Sequence, residues 1–295
     1  MSDLDDLSTE KPNPRSVGLD LLAAADILRI INDEDRLVAA AVDKEIPRIA
    51  EAVERVAAAI RAGGRLHLFG AGTSGRLAVL DASEMHPTFG VPLDLVQGHI
   101  AGGDAALRRP VEGAEDDEED GARRVDAAQV GTDDVAMALS ASGRAPWCVG
   151  VLRHARGLGA FTIAITCNER TALSRVADLT IQPLVGREVI TGSTRMKAGT
   201  AQKLVLNMIS TGAMVRAGLT YGNLMVGLTP TNTKLKERAR GLVRSISGYD
   251  EVDDALKSCD WNVRAACIVL MKRMSAADAR AHLEACDGSL RRALG

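Results

Sequence analysis

The sequence predicts an α/β fold: a flavodoxin-like, doubly wound sheet of five parallel strands, with N-terminal helices and a small C-terminal helical domain. Short apolar runs in the middle of the chain alternate with helical stretches, as parallel strands and their crossover helices require. Two hydroxyl-rich loops each follow one of these runs and precede a helix. The predicted strands comprise residues 65–69, 93–96, 135–139, 161–166 and 179–181.

The other segments show the three- and four-residue apolar spacing of helices. The predicted helices comprise residues 19–31, 37–62, 77–87, 105–128, 145–157, 196–217, a stretch from 235, and then 249–258, 261–274 and 276–294, the last broken near Gly288. This pattern divides the chain into an N-terminal arm with helices (1–55), a sheet domain (56–220) and a C-terminal helical domain (221–295).

The composition favours small-molecule or protein partners over nucleic acid. The chain has 36 basic and 39 acidic residues, a formal net charge of -3, and only two Trp, two Tyr and three Phe that could stack on bases. The five cysteines are scattered, so neither a disulfide framework nor a zinc knuckle is expected. The first ten residues lack the apolar segment of a signal peptide, and no apolar run reaches the about 18 residues of a membrane span. We therefore expect a cytoplasmic protein that does not enter a membrane.

The first loop, Gly70-Ala-Gly-Thr-Ser-Gly-Arg76, lies between a strand and a helix. Backbone amides in such a turn can face an anion, and the helix N-terminus adds positive potential. Thr73 and Ser74 add two hydroxyl groups. The loop is neither a GxGxxG motif nor a Walker loop, and alone it is equally typical of a tight turn capped by Thr or Ser. We assign Gly72, Thr73, Ser74 and Gly75 to a phosphate site.

The second loop, Ser140-Ala-Ser-Gly-Arg144, also stands between a strand and a helix. In a doubly wound sheet the first and third strands are neighbours at the switch point, where ligands bind beyond the carboxyl ends. Ser140, Ser142 and Gly143 are therefore expected to converge with the first loop on one anion. Two unrelated helix caps are the alternative.

A third loop, Gly192-Ser-Thr-Arg-Met-Lys197, precedes another helix. Ser193 or Thr194 is expected to cap that helix, while Arg195 and Lys197 offer positive charge to an anion. A solvated basic turn is the alternative. Ser193 is the residue of this loop that we include in the site.

The first two loops resemble the sugar-phosphate loops of sugar isomerase domains. Longer segments resemble the N-acetylmuramic acid 6-phosphate etherase family over nearly the whole chain. These segments are Ile30-Ile-Asn-Asp-Glu-Asp35, Leu80-Asp-Ala-Ser-Glu84, Ile100-Ala-Gly-Gly103, Val111-Glu-Gly-Ala-Glu-Asp116, Thr191-Gly-Ser-Thr-Arg-Met-Lys-Ala-Gly-Thr-Ala-Gln-Lys-Leu-Val-Leu-Asn-Met208 and Gly222-Asn-Leu-Met225. One position departs from the pattern, because Ala145 stands where sugar isomerase domains usually have Thr. We leave Ala145 out of the site.

The resemblance implies a substrate, N-acetylmuramic acid 6-phosphate, and two products, N-acetylglucosamine 6-phosphate and D-lactate. It also implies a cytoplasmic homodimer that recycles cell-wall sugar. Matched by motif, Glu84 corresponds to the family's proton donor to lactate and Glu115 to its base at C2.

The chemistry of such a reaction explains why it needs two carboxyl groups. An alkoxide leaves poorly, but the open-chain aldehyde acidifies the C2 proton of the sugar. A base removes that proton, an acid protonates the C3 ether oxygen, lactate leaves, and water adds at C3. The acid must stay protonated near neutral pH, which burial or a neighbouring carboxylate can achieve. No metal or other cofactor is required, and none is expected.

Both glutamates also have an ordinary explanation as surface charge. Glu84 lies near Pro87 at a helix end, and Glu115 opens an acidic run that a helix N-terminus would favour. Thr73 and Glu84 are 11 residues apart, roughly 16 Å along a straight helix. Either the helix breaks near residues 81–83, or Glu84 reaches a neighbouring subunit's loops; we favour the shared site. His86 and His99 are possible helpers, although a core or surface histidine is more typical.

Three other functions share some of these features. A sugar-phosphate isomerase would have the phosphate loops and a base without needing both glutamates. A non-catalytic sugar-phosphate-binding regulator resembling the glucokinase regulatory proteins would be about twice as long, with a duplicated domain and no glutamate matching Glu84. A transcription regulator would carry a basic N-terminal helix-turn-helix, whereas this chain has the acidic stretch 32–35 there.

Overall fold

The structure is a computed structural model that describes residues 7–228, 230 and 232–295. The chain divides into two compact units, each of which is discontinuous in sequence. The first unit contains residues up to Ala82 together with Val96–Ser210, and the second contains Ser83–Leu95 together with Thr211–Gly295. The three-part domain division made from the sequence stays a prediction.

Helices and strands alternate through the first two thirds of the chain, after three short 3-10 turns at Ser8–Glu10, Pro14–Ser16 and Leu19–Leu21. In chain order the elements are α1 (Ala24–Asp43), α2 (Ile46–Arg61), β1 (Leu66–Gly70), α3 (Gly72–Ser83), α4 (Met85–Phe89), β2 (Val96–Ile100), α5 (Ala105–Arg108), α6 (Glu118–Ala127), β3 (Val135–Leu139), α7 (Pro146–Gly157), β4 (Phe161–Ile165), a 3-10 turn at Leu173–Arg175, β5 (Leu179–Ile181) and α8 (Lys197–Arg216). Helices follow to the end of the chain: α9 (Thr233–Ser247), α10 (Asp253–Ser258), α11 (Val263–Lys272), α12 (Ala276–Ala285) and α13 (Leu290–Leu294).

The five strands form one parallel sheet with the order β2-β1-β3-β4-β5. This is the doubly wound order with a switch point between β1 and β3, so the predicted fold class is confirmed. Gly70 is in register with Ile100 of β2 and with Leu139 of β3. Three strands therefore end at the same level, and the loops that follow β1 and β3 start side by side.

Helices cover the sheet because its strands consist mainly of apolar residues. Helix α2 packs on β1, β3 and β5, while α7 packs on β1, β3 and β4 and also against α6. The cluster around α7 joins Phe69 and Ala138 of the sheet to Trp147 and Leu152 of the helix, all of them buried. Burial of both faces is the usual condition of a parallel sheet, and it explains the continuous apolar runs in the sequence.

Three of the predicted helices are interrupted: the helix 77–87 is split at Glu84 between α3 and α4, and prolines or glycines account for the other two breaks. The predicted helix 37–62 is split between α1 and α2, where Pro47 at the start of α2 has no amide hydrogen to continue the first helix. The predicted helix 105–128 survives only as α5 and α6. Pro110 and Gly113, the latter at a φ of 73°, lie in the turn between them.

Other boundaries also moved. The predicted strand 93–96 was wrong, since β2 begins at Val96. The predicted helix 19–31 is a short 3-10 turn followed by α1, which begins only at Ala24. Helix α3 begins at Gly72 rather than at residue 77, so the glycine-rich loop itself forms the first helical turn. Strands β3 and β5 have the predicted bounds.

The second unit has its own apolar core, contributed by Val226 and Leu228 and by residues in and around α9 to α13. Asn232, Asn262, Ser275 and Ser289 each accept a hydrogen bond from a backbone amide in the first turn of a helix. Burial raises the pKa of the Cys267 thiol to about 12, which keeps this cysteine in the unreactive thiol form. Among the described residues, no helix is long and apolar enough to cross a bilayer.

A chain of polar side chains, of which His67, His99 and Asp134 are buried, joins β1, β2 and α6 in the first unit. Arg124 Nε donates to His99 Nδ1 at 3.1 Å, and His99 Nε2 lies 3.3 Å from His67 Nδ1. His67 Nε2 then faces Asp134 Oδ2 at 3.5 Å. One tautomer of each imidazole, with both rings neutral, fits the contacts from Arg124 to His67, whereas His67 Nε2 faces Asp134 without forming a hydrogen bond. Phe69 stacks on His99 with ring centroids 4.5 Å apart.

Both histidines resist protonation in the folded state. Burial, opposed by Asp134, lowers the pKa of His67 to about 4. Burial together with the Arg124 guanidinium and His67 lowers the pKa of His99 to about 3. An unfolded histidine takes up a proton near pH 6.5. The unfolded chain therefore binds more protons than the folded chain between that pH and the folded-state values, and acid favours unfolding there.

We expect the free energy of unfolding to fall as pH is lowered from 6.5 to 5, by up to about 1.4 kcal/mol per pH unit for each histidine. Chemical denaturation at half-unit pH steps measures this slope. The double variant His67→Leu/His99→Leu should be less stable at pH 7 but should show a flatter slope. An unchanged slope in that variant would contradict the assignment.

Candidate active site

The first loop owes its shape to glycines that have no room for a side chain. A Cβ on Gly75 would lie 2.5 Å from the Gly70 carbonyl oxygen, and a Cβ on Gly70 would lie 2.6 Å from the Gly75 amide nitrogen. Gly72 adopts a φ of 53°, in the region that favours glycine. Helix α3 can therefore begin directly at the end of β1, with its first amides at the edge of the sheet.

The second loop is held by its own side chains. The Gly143 amide donates to the carbonyl oxygen of Ser140 at 2.9 Å and lies 3.1 Å from the Ser140 hydroxyl. The Arg144 amide donates to the Ser142 hydroxyl at 3.3 Å. Gly143 has a φ of 70°, and a Cβ there would lie 2.4 Å from Thr171 Cβ. Gly143 thus shapes the turn that carries the two serines.

The two loops meet in a small pocket of about 140 Å³ at the switch point. It is lined by Ala71, Gly72, Thr73, Ser74, Glu115, Leu139, Ser140, Ala141, Ser142, Ala145 and Thr194. Hydroxyl groups from three separate loops therefore surround one space beside the N-terminus of α3. A site of this kind suits an anion, which accepts hydrogen bonds from hydroxyl and amide donors.

Glu115 reaches this pocket because its backbone is tied to α7. The Trp147 amide in the first turn of that helix donates to the Glu115 carbonyl oxygen at 3.0 Å. Neighbouring Ala114 packs against the buried cluster around α7. Glu115 itself is exposed and precedes α6, whose N-cap is the side chain of Asp117. The acidic run does begin a helix, but Glu115 stands outside that helix and faces the pocket.

A second pocket of about 380 Å³ shares Ala71, Gly72 and Glu115 with the first. Arg76 and Glu112 are its other charged lining residues. Arg76 donates to the carbonyl oxygens of Ala106 and Leu107 at 2.8 and 3.1 Å, which fixes α5 against α3. Glu115 thus lies where a small anion pocket opens into a larger one.

The third loop differs from the prediction in two respects. Neither Ser193 nor Thr194 caps α8, because the buried carboxylate of Glu188 accepts hydrogen bonds from the Lys197 and Ala198 amides at 3.0 and 2.9 Å. Burial raises the pKa of Glu188 despite those hydrogen bonds. Thr194, rather than Ser193, lines the anion pocket.

Lys197 does not offer its charge to an anion as predicted. Its side chain is buried, with Nζ 2.5 Å from Glu34 Oε2 and 2.9 Å from the Val185 carbonyl oxygen. Arg15 lies 3.1 Å from the other oxygen of Glu34. The lysine therefore anchors the third loop to α1, an architectural role. Arg195 is exposed.

Glu84 stands at the junction between α3 and α4, where it is exposed and is the N-cap residue of α4. Helix α3 is continuous up to Ser83, so Ala82 lies roughly 14 Å along the axis from Thr73 at about 1.5 Å per residue. The break proposed near residues 81–83 falls at Glu84 itself. Glu84 belongs to the second unit, whereas both pockets belong to the first.

Several predicted site residues come together, and others have different positions. Gly72, Thr73, Ser74, Ser140, Ser142 and Glu115 line one pocket. Gly75 and Gly143 support the loops from behind, while His99 belongs to the chain of polar side chains and His86 bonds the Val91 carbonyl oxygen in the second unit. Within the described part of the chain, no cluster of His, Cys, Asp or Glu has the arrangement of a metal site.

Sequence reasoning missed Glu188 and Gln202, and it misjudged the role of Lys197. Ser74 Oγ donates to Gln202 Oε1 at 2.9 Å, inside the contact between α3 and α8. Gln202 and Lys197 both lie in the stretch 191–208, and Glu34 lies in 30–35. Those two segments resemble the same protein family, which was the available signal that they belong together.

Family models identify the class of protein. The model of the SIS domain matches residues 114–211, and the model of the glucokinase regulatory protein N-terminal SIS domain matches residues 48–156. Together these matches cover the sheet and both hydroxyl-rich loops. The fold and the paired loops at the switch point thus define a protein with a sugar isomerase domain.

Relatives of the chain narrow this class. The N-acetylmuramic acid 6-phosphate etherase of Clostridium beijerinckii is 47% identical over 99% of this chain and 96% of its own length. The etherase of Mesorhizobium japonicum is 49% identical over 100% of this chain and 96% of its own length. The etherase of Yersinia pestis is 50% identical over 98% of each chain. The chain belongs to the N-acetylmuramic acid 6-phosphate etherase family.

The loop geometry predicts that Gly143→Ala is more disruptive than a glycine replacement without a steric clash. Gly186 is the matched control, because it has a φ of 71° but a Cβ there would have no neighbour within 4 Å. Both variants should lose about 1 kcal/mol of unfolding free energy from backbone strain. Gly143→Ala should lose roughly 1–3 kcal/mol more from overlap with Thr171 and Thr166. Equal unfolding midpoints in denaturant for the two variants would contradict this explanation.

Proposed function

We propose that this chain cleaves the D-lactyl ether of N-acetylmuramic acid 6-phosphate in cell-wall sugar recycling. The reaction is an elimination followed by water addition, and it gives N-acetylglucosamine 6-phosphate and D-lactate. The observation that carries the proposal is a carboxylate, Glu115, in the wall of a hydroxyl-lined anion pocket, in a chain related over its whole length to etherases.

In this proposal the phosphate occupies the small pocket. The hydroxyls of Thr73, Ser74, Ser140 and Ser142 and the first amides of α3 supply hydrogen bonds, and the helix N-terminus supplies positive potential. The sugar and its lactyl group extend into the larger pocket, which shares Glu115 with the first. Arg76 in that pocket provides positive charge on the side of the lactyl carboxylate.

Glu115 acts as the base and Glu84 as the acid. Glu115 takes the C2 proton of the open-chain sugar, the C3–O bond breaks, and the departing lactate oxygen takes a proton from Glu84. Water then adds its oxygen at C3 of the unsaturated aldehyde, and C2 regains a proton. The net change is one water consumed and one lactate released, with no change of oxidation state.

We further propose a cytoplasmic homodimer in which Glu84 serves the phosphate loops of the partner subunit. The support is the length of α3, which carries the chain roughly 14 Å from Thr73 before Glu84 is reached. Residues 1–55 and 221–295 would then form the arm and helical domain that flank the sugar-phosphate-binding domain. We propose no nucleic-acid or membrane partner.

Product analysis separates this function from the two alternatives that share the loops. A sugar-phosphate isomerase would interconvert aldose and ketose phosphates without releasing lactate, and a sugar-phosphate-binding regulator would bind without turnover. Incubation with N-acetylmuramic acid 6-phosphate should release D-lactate together with N-acetylglucosamine 6-phosphate. Binding without lactate release would overturn the proposal.

The two glutamates should be separable by isotope exchange. Glu84→Gln should slow lactate release by roughly 100- to 10,000-fold while C2 exchange with deuterated water continues, because the base is intact. Glu115→Gln should abolish both lactate release and C2 exchange. Glu119→Gln removes an exposed carboxylate in α6 outside both pockets, and serves as the control. Normal lactate release by Glu84→Gln would remove Glu84 from the mechanism.

Mixing two inactive variants tests whether the site is shared. If Glu84 and Glu115 of one site come from different subunits, a Glu84→Gln/Glu115→Gln heterodimer contains one intact site and one doubly altered site. Random reassociation should then restore about a quarter of the wild-type rate of lactate release. If both glutamates come from the same subunit, every site in the mixture lacks one of them. Activity that stays at the level of the separate variants would rule out the shared site.

A further inference from the structure

The hydroxyl of Ser74 is already engaged on the side away from the anion pocket. Ser74 lines that pocket, but its Oγ donates to Gln202 Oε1 at 2.9 Å. Both side chains are buried, with 7% of Ser74 and 1% of Gln202 exposed. A serine hydroxyl has a single proton to donate. In this arrangement Ser74 presents only lone pairs to the pocket.

Lone pairs of the Ser74 oxygen would repel a phosphate group and could not form a hydrogen bond with its oxygens. A phosphate monoester carries close to two negative charges near neutral pH, and its oxygens accept hydrogen bonds. Ser74 can stabilise such a group only if its proton points into the pocket. The present hydrogen bond from Ser74 to Gln202 Oε1 is then lost. The Ser74 oxygen has no partner on that side unless another group donates to it.

Gln202 can make that change by turning its amide group over. Its Nε2 atom is buried and has no hydrogen-bond partner among the described residues. Turning the amide places Nε2 against Ser74 Oγ as a donor and moves Oε1 to the position without a partner. The number of unsatisfied buried atoms stays the same, and an unpaired carbonyl oxygen is better tolerated than an unpaired N–H.

The surroundings keep Gln202 in place while its amide turns. Next to it on α8, Lys203 Nζ lies 2.6 Å from Asp81 Oδ1, which joins α8 to α3. Four residues before Lys203, Gly199 lies against Thr73, whose Cγ2 would be 3.6 Å from an added Cβ. The amides at the start of α8 are held by Glu188. Only the terminal amide of Gln202 has to move.

We propose that Gln202 is a positioning residue for phosphate binding: its amide donates to Ser74 when ligand is bound, so that Ser74 donates its proton to the phosphate. The inference rests on the phosphate site of the proposed function, but not on ether cleavage. Gln202 does not touch the phosphate. It decides whether a pocket hydroxyl acts as donor or acceptor.

Gln202→Glu, measured at a pH at which the new carboxyl group is ionised, is the decisive variant, because an ionised carboxylate can only accept and therefore keeps the Ser74 proton out of the pocket. Affinity for N-acetylglucosamine 6-phosphate, measured by calorimetry, should fall roughly 10-fold or more, as in Ser74→Ala. Gln202→Met removes the competing acceptor and should weaken binding less than Gln202→Glu. Gln182→Glu makes the same chemical change at a glutamine outside the anion pocket and should bind as wild type.

The double variant Ser74→Ala/Gln202→Glu separates hydroxyl orientation from simple charge repulsion. If Gln202 acts through Ser74, the double variant should bind no worse than Ser74→Ala alone. The proposal would be overturned if Gln202→Glu lowered affinity as much in the Ser74→Ala background as it does in the wild type. It would also be overturned if Gln202→Glu bound with wild-type affinity, or if Gln202→Glu and Gln202→Met lost the same affinity. Unfolding midpoints without ligand identify any variant whose loss reflects misfolding.

Activity measurements keep this inference distinct from the proposed function. For lactate release, Gln202→Glu should raise KM more than it lowers kcat, because the phosphate is remote from the reacting C2 and C3 atoms. If the wild-type protein binds N-acetylglucosamine 6-phosphate but releases no lactate, the etherase proposal fails while the binding test of Gln202 still applies. If lactate is released and the variants bind normally, only the Gln202 inference fails.

Discussion

The close approach of Gly70 and Gly75 is the constraint on which the candidate site depends. Each glycine occupies the space that a Cβ on the other would need, so only Ala71 separates the end of β1 at Gly70 from the start of α3 at Gly72. Because β1 and β3 end in register, the first turn of α3 then lies beside the serines that follow β3. A side chain at either glycine would move the helix away from the strand and separate Thr73 and Ser74 from Ser140 and Ser142.

The two helix N-termini near the pocket are used in opposite ways. The start of α3 is left open, with hydroxyls around it, whereas the start of α8 is neutralised internally by Glu188. Lys197, the first residue of α8, forms an ion pair with Glu34 and does not face the pocket. An anion in the pocket would therefore be bound by neutral hydrogen-bond donors and one helix dipole, and not by positively charged side chains. Such a site binds an anion through hydroxyl protons that point into the pocket. We therefore propose a positioning role for Gln202, which contacts the Ser74 hydroxyl.

Much of this arrangement could be predicted from the sequence, because it follows from local rules. Strand–loop–helix order, together with the doubly wound topology, was enough to expect the loops at 70–76 and 140–144 to converge. The failures involve partners that no helical or strand periodicity reports. Glu188, nine residues before Lys197, replaces Ser193 and Thr194 as the cap of α8, because the loop between them folds back on the start of the helix. Glu34 pairs with Lys197 from 163 residues away, and that contact depends on how α1 packs against the sheet domain.

The discontinuity of the second unit has a consequence for the order of folding. The segment Ser83–Leu95, which carries Glu84, belongs with residues made more than a hundred positions later. Gly90 packs so closely on Gly227 that a Cβ there would lie 1.8 Å from the Gly227 carbonyl oxygen. Contacts this distant in sequence form late, because a long loop must close first. During synthesis the first unit, which ends at Ser210, is complete before most of the second unit has been made. The five-stranded sheet can therefore assemble before Glu84 has its native surroundings.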